Sequence, residues 1–203
     1  MQDADLASAL GATAVGFVFW PDSPRSIAPE TAKGIAARVP THVMRVGVFV
    51  DEPLERVLEV VEEVGLDAVQ LHGHETPEYC RQLAERTSPP LDLRSGRRVI
   101  KAVGMKDNGA VNIADFDPEI MLLVDAHDPT RYGGTGRTVN WDVAREIAGT
   151  RPTILAGGLN AANIRLAVRS VRPYGVDVSS GVESAPGVKD PARLRTFFEA
   201  LHD

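Results

Sequence analysis

Short apolar, β-branched runs alternate along the chain with stretches whose apolar residues recur every three or four positions. The runs lie at 14–19, 44–50, 67–71, 98–103, 120–124, 152–156 and 175–178. Runs of this length and composition read as strands buried on both faces. Between them, Leu54, Val57, Leu58, Val61 and Val64 follow helical spacing, with Pro53 where a first turn accepts it. Ile164, Ala167, Val168 and Val171 repeat that spacing behind Asn160, a good N-cap residue. Tyr79, Leu83 and Ala84 predict a helix opened by Thr76-Pro77. Val143, Ile147 and Ala148 predict another, and Leu194, Phe197, Phe198 and Leu201 the last. The stretch 106–117 has little periodicity, and 86–98 reads as a polar surface loop. The alternation predicts parallel strands joined by crossover helices. The fold class is therefore α/β, a (βα)8 TIM barrel, as a single domain over residues 1–203.

The strand count is seven rather than eight. Leu6, Ala9 and Leu10 share one helical face and Gly11 suits a C-cap, so the chain opens with a helix. Barrels of this kind typically run to ~250 residues, with ~200 near the floor, and this chain has 203. The expectation is that the first β-strand is missing. Two parallel strands would then carry unpaired edges, which proteins normally avoid. The slot would be filled by a neighbouring chain, filled by a shifted segment, or left open.

Composition narrows the function classes. Hydrophobic residues make up 43% and charged residues 25%, as in a globular domain. The net charge of -6 argues against nucleic acid and membrane surfaces as general partners. No apolar run approaches the ~18 residues of a membrane span, and the first residues carry no signal-peptide pattern. One cysteine, Cys80, excludes an internal disulfide and agrees with a cytoplasmic setting.

In such a barrel the chemistry sits at the C-terminal ends of the strands. Those ends offer Arg25, Gln70, His72, Lys101, Asp125, Gly157-Gly158 and the segment 177–183. Gly157-Gly158 lies between a strand and a helix start, and Ser180-Gly181 follows the last strand. Glycine lets backbone N–H groups approach an anion closely, and the last two loops of barrels often hold phosphate. Either loop alone is equally a plain turn; together they favour phosphate. Asp125 directly follows an apolar strand, where a carboxyl group with a raised pKa suits a general acid, although a loop-capping role is commoner. His72 is a substrate ligand or simply a rim residue. The run 133–138 lacks the glycine and lysine of a P-loop and reads better as a lid. Cys80 lies mid-helix and reads as a partly buried thiol rather than a nucleophile. No His, Cys and Asp cluster has metal-ligand spacing, so no metal is proposed.

Seven segments together carry a resemblance. They are Gly16-Phe-Val-Phe-Trp-Pro-Asp-Ser-Pro-Arg-Ser26, Arg45-Val-Gly-Val-Phe-Val50, Val69-Gln-Leu-His-Gly73, Leu122-Leu-Val-Asp125, Tyr132-Gly-Gly-Thr-Gly136, Leu155-Ala-Gly-Gly-Leu-Asn160 and Val176-Asp-Val-Ser-Ser-Gly-Val-Glu183, the last followed by Pro186-Gly-Val-Lys-Asp190. In this order they resemble the phosphoribosylanthranilate isomerase family of tryptophan biosynthesis. The resemblance implies an Amadori rearrangement of N-(5-phosphoribosyl)anthranilate to 1-(2-carboxyphenylamino)-1-deoxyribulose 5-phosphate, with no cofactor. It implies Asp125 as the general acid and Arg25 as the partner of the anthranilate carboxylate, a pairing that suits a guanidinium. It implies Gly157, Gly158, Ser180 and Gly181 as the phosphate grip, with Gln70, His72 and Asp177 lining the rim. The partner is a small phosphoribosyl substrate, and the protein is a monomer or homodimer. The family's general base is a cysteine on a first strand that has no counterpart in residues 1–203. The expected explanation is a start further upstream; the alternative is a catalytically impaired sugar-phosphate binding barrel. The phosphate-gripping barrels of ribulose-phosphate epimerase, thiamine phosphate synthase and histidine biosynthesis lack the Arg25 and Asp125 segments.

Overall fold

The computed structural model describes residues 2–87, 99–104, 113–125 and 141–202. It divides into two compact units. The first comprises residues 1–101 and 115–120, and the second residues 102–114 and 121–203.

The first unit opens with α1 (Gln2–Ala9), which ends where Gly11 takes a left-handed φ of 102°. The expected opening helix is present, but none of its residues is fully buried. Strand β1 (Ala14–Val18), helix α2 (Pro29–Ala36), strand β2 (Met44–Phe49), helix α3 (Leu54–Val64), strand β3 (Ala68–Leu71), helix α4 (Pro77–Arg86) and strand β4 (Val99–Gly104), of which residues 99–101 belong to this unit, follow. β1 pairs in parallel with β2, β2 with β3, and β3 with β4. Helix α2 has few apolar residues and was not among the predicted elements; it buries only Ala32 and Ala36. Helix α3 buries Val57, Val60 and Val64 and stops at Gly65, whose φ of 72° suits a glycine C-cap. Helix α4 opens as predicted, with Thr76 Oγ1 accepting from the Tyr79 N–H. The core of this unit joins Phe17, Phe49, Val57, Val69, Leu71, Cys80 and Leu83 between strands and helices. Arg45 and Asp67 fix the base of β2 against β3 through a two-pronged ion pair of 2.7 and 2.8 Å.

The second unit holds β5 (Met121–Asp125), α5 (Trp141–Ala148), β6 (Thr153–Ala156), α6 (Ile164–Val171), β7 (Gly175–Val176), the short strands β8 (Glu183–Ala185) and β9 (Val188–Lys189), and α7 (Pro191–His202). β5 pairs in parallel with β6, and β6 with β7. β5 is buried from Met121 to Val124, as its apolar run requires.

Two expectations need correction. β7 pairs only through Gly175 and Val176, so the run to Val178 overstates it and Asp177 lies beyond its end. The N-cap of α6 is Asn163, not Asn160, which instead heads the turn before it. The antiparallel β8–β9 pair was not predicted. In the stretch 106–117 only a 3-10 turn at Ile113–Asp115 is described. The predicted lid at 133–138 and most of the loop 86–98 lie outside the described residues. Among the described residues, no helix is long and apolar enough to cross a membrane.

Candidate active site

In the first unit, the chain leaves β1 and returns to it at once. The Ile27 N–H donates to the Val18 carbonyl at 2.9 Å, and Ser26 bridges Val18 in parallel register. Arg25 sits in the turn so closed, half-buried, with its backbone N–H on Ser23 Oγ at 3.1 Å. Gln70 lies in β3 and is buried, at 7% exposure. Its Nε2 lies 3.1 Å from His72 Nδ1. The His72 N–H is held by the Phe49 carbonyl at 2.8 Å, and its side chain is exposed. Gln70 and His72 are therefore in side-chain contact.

Beside them lies a charged cluster that sequence reasoning saw only in part. Lys101 Nζ donates to the Leu71 carbonyl at 3.3 Å, to the Gly73 carbonyl at 2.7 Å and to Glu75 Oε2 at 2.9 Å. Glu75 in turn accepts from the Asp51 and Gly73 backbone N–H groups. Lys101 was a candidate from its place at a strand end. Glu75, 26 positions away from it, carries no signal in the sequence beyond being an acidic residue in a strand-end loop.

Asp51 takes a left-handed φ of 51°, unusual for a non-glycine residue. His74 donates to both of its carboxylate oxygens, and the side-chain bond to His74 holds the Asp51 carboxyl below its usual range. Cys80 is fully buried in α4, and burial pushes its thiol up to about 11, as suits an inert core residue.

In the second unit, Asp125 ends β5 and stands in register with Ala156, the residue before Gly157-Gly158. Both glycines are left-handed, with φ of 91° and 64°. The Gly158 carbonyl accepts from Asn160 Nδ2 at 3.1 Å and Asn163 Nδ2 at 3.0 Å. Asn163 Oδ1 also accepts from the Asn160 N–H at 2.8 Å, so the two amides brace the turn. Asp177 is anchored by its N–H to the Leu155 carbonyl at 2.9 Å, and its side chain is exposed. Ser180 opens a 3-10 turn. A Cβ on Gly181 would lie 1.8 Å from the Leu159 carbonyl oxygen. The Gly157-Gly158 and Ser180-Gly181 turns thus abut directly through Leu159. This unit brings together Asp125, Gly157, Gly158, Asp177, Ser180 and Gly181; Arg25, Gln70 and His72 belong to the first unit.

The model of the N-(5'phosphoribosyl)anthranilate isomerase family matches residues 1–200. The chain belongs to the phosphoribosylanthranilate isomerase family. An isomerase of this name from Pelobacter propionicus is 45% identical over 197 residues, covering 97% of this chain and 88% of the relative. The crystal structure of the Thermotoga maritima phosphoribosyl anthranilate isomerase is 42% identical with a TM-score of 0.82, covering 99% of this chain and 93% of that one. A further solved phosphoribosyl anthranilate isomerase, in complex with reduced 1-(o-carboxyphenylamino)-1-deoxyribulose 5-phosphate, is 40% identical with a TM-score of 0.80, over 99% of this chain and 93% of that one. The fold is thus the α/β barrel type of the phosphoribosylanthranilate isomerases, as expected, and seven parallel strands are found among the described residues.

Proposed function

We propose that this protein is an intramolecular aldose–ketose isomerase acting on N-(5-phosphoribosyl)anthranilate in tryptophan biosynthesis. The family match carries this reading, and nothing among the relatives favours the impaired-binder alternative. In the proposed reaction Asp125 donates a proton to the furanose ring oxygen as the C1–O bond breaks. The electron pair of the anthranilate nitrogen moves in to form an iminium. Loss of the C2 proton to a base gives an enolamine, which tautomerises to the ketone. Cys80 is unsuited to that base role, because its thiol is buried and its pKa raised. Arg25 pairs with the anthranilate carboxylate, and the turns at Gly157, Gly158, Ser180 and Gly181 hold the 5-phosphate. Gln70 and His72 in the first unit, and Asp177 in the second, are the further proposed substrate ligands. The register of Asp125 beside the glycine turn is what supports a shared acid and phosphate site. The protein would work in the cytoplasm as a monomer or homodimer.

The fluorescence decay of phosphoribosylanthranilate tests the reading. The chain is expected to accelerate it. Asp125→Asn is expected to slow turnover by roughly 10²–10⁴-fold, the usual worth of a general acid, while binding of the reduced product analogue persists. Failure of the wild-type chain both to turn over substrate and to bind that analogue would overturn the assignment.

A further inference from the structure

The β8–β9 hairpin lies outside the machinery assigned so far, yet its side chains reach into it. Lys189, in β9, donates from Nζ to the Ser179 carbonyl at 3.0 Å and to Glu183 Oε1 at 2.8 Å. The Glu183 side chain is only 4% exposed and that of Lys189 only 26%. The Glu183 carbonyl accepts from Arg193 Nη1 in α7. The Asp190 N–H closes on the Val182 carbonyl at 2.8 Å, and the Asp190 carboxylate caps the first turn of α7. The turn 179–182 is therefore held from behind at several points. Its front is set by the close approach of Gly181 to Leu159.

We propose that Lys189 is a positioning residue for the phosphate grip, which deepens and rests on the phosphate reading above. Its ammonium fixes the carbonyl that enters the Ser180-Gly181 turn. It also neutralises Glu183, a buried carboxylate whose field would otherwise oppose an anion bound at that turn. Two of the three ammonium donors of Lys189 are directed to Ser179 and Glu183, which ties the side chain to the turn and to its buried carboxylate. An ion pair adjoining an anion site can set the geometry of the donors that meet the anion without contacting it.

The test compares two ligands by calorimetry: reduced 1-(o-carboxyphenylamino)-1-deoxyribulose 5-phosphate and its dephosphorylated counterpart. Lys189→Met is expected to weaken the phosphorylated ligand about tenfold or more, the scale of one charge-assisted hydrogen bond. The dephosphorylated ligand should bind as it does to the wild type. Lys189→Arg, which keeps a charged donor, is expected to recover most of the loss. Melting curves accompany each variant, and Lys189→Gln replaces Lys189→Met if the latter does not fold. Equal weakening of both ligands, or no weakening of either, overturns the role of Lys189. A wild-type chain with no preference for the phosphorylated ligand overturns the phosphate reading itself, and the inference with it.

Discussion

Lys101 and Glu75 form a buried ion pair of 2.9 Å in which each partner also fixes the backbone of the other's neighbourhood. Lys101 spends its three donors on Glu75 and on the carbonyls of Leu71 and Gly73, and Glu75 gathers the N–H groups of Asp51 and Gly73. Side-chain exposures of 5% and 2% mean that neither charge has water to fall back on. Breaking one side of such a pair costs more than the pair itself contributes, because the other charge is stranded. Lys101→Met is therefore expected to lower stability by about 3 kcal/mol or more. Glu75→Gln keeps acceptor capacity for the backbone and is expected to cost less. Urea unfolding of the two variants gives the order; equal and small losses would refute it. Because β3 carries Gln70 and leads directly into His72, the lysine variant is also expected to weaken ligand binding.

Two glycines of the proposed phosphate grip are required for different reasons. Gly158 needs its left-handed φ of 64°, but the space around it is open. Gly158→Ala is expected to cost about 1–2 kcal/mol of backbone strain and to leave the fold intact. Gly181 needs room instead, since a methyl group there would overlap a backbone oxygen that cannot swing away. Gly181→Ala is expected to displace the whole turn and to remove measurable binding of the reduced product analogue. Calorimetric titration separates the two: comparable affinity in both variants would sink the steric account.

The strands were legible because burial on both faces leaves an unmistakable apolar run, as in Met121–Asp125. The same signal overstates β7, since Val178 continues the apolar pattern past the point where pairing with β6 ends. The sequence offers two asparagines three positions apart as the cap of α6. Which one caps depends on the turn between them, and both are spent on the Gly158 carbonyl. The β8–β9 hairpin left one usable signal, Pro186-Gly187, a turn pair whose glycine has a φ of 80°. Its strands are too short to show alternation. The partnership of Lys101 with Glu75, and of Lys189 with Ser179, is tertiary and had no trace in local pattern.

Arg25 is the proposed partner of the anthranilate carboxylate. A guanidinium matches a carboxylate with two parallel donors, a geometry that an ammonium does not reproduce. Arg25→Lys is expected to raise KM for phosphoribosylanthranilate by about tenfold, the scale of one such bond. An analogue lacking the ring carboxylate should be bound equally by both forms. Steady-state kinetics with competition by that analogue decides the matter. A variant that loses affinity for both ligands alike would show that Arg25 shapes its loop and does not meet the carboxylate.

Cys80 supplies a prediction in pH. Its thiol is pushed from the ordinary value of 9.0 up to about 11, first by burial, with Glu75 adding to the shift and Lys101 opposing it. The folded state thus holds this proton more tightly than the unfolded state does. The associated stability is fully present below about pH 9, falls as pH rises from there, and is gone above about pH 11. Two units correspond to at most about 3 kcal/mol. Unfolding free energies measured from pH 8 to 11 are expected to decline, and Cys80→Ala is expected to flatten that decline whatever it costs at neutral pH. The same shift leaves almost no thiolate at pH 8, so iodoacetamide should label the native protein very slowly and the urea-unfolded protein readily. Rapid labelling of the folded chain at pH 8 would contradict both the burial and the inert role given to this thiol.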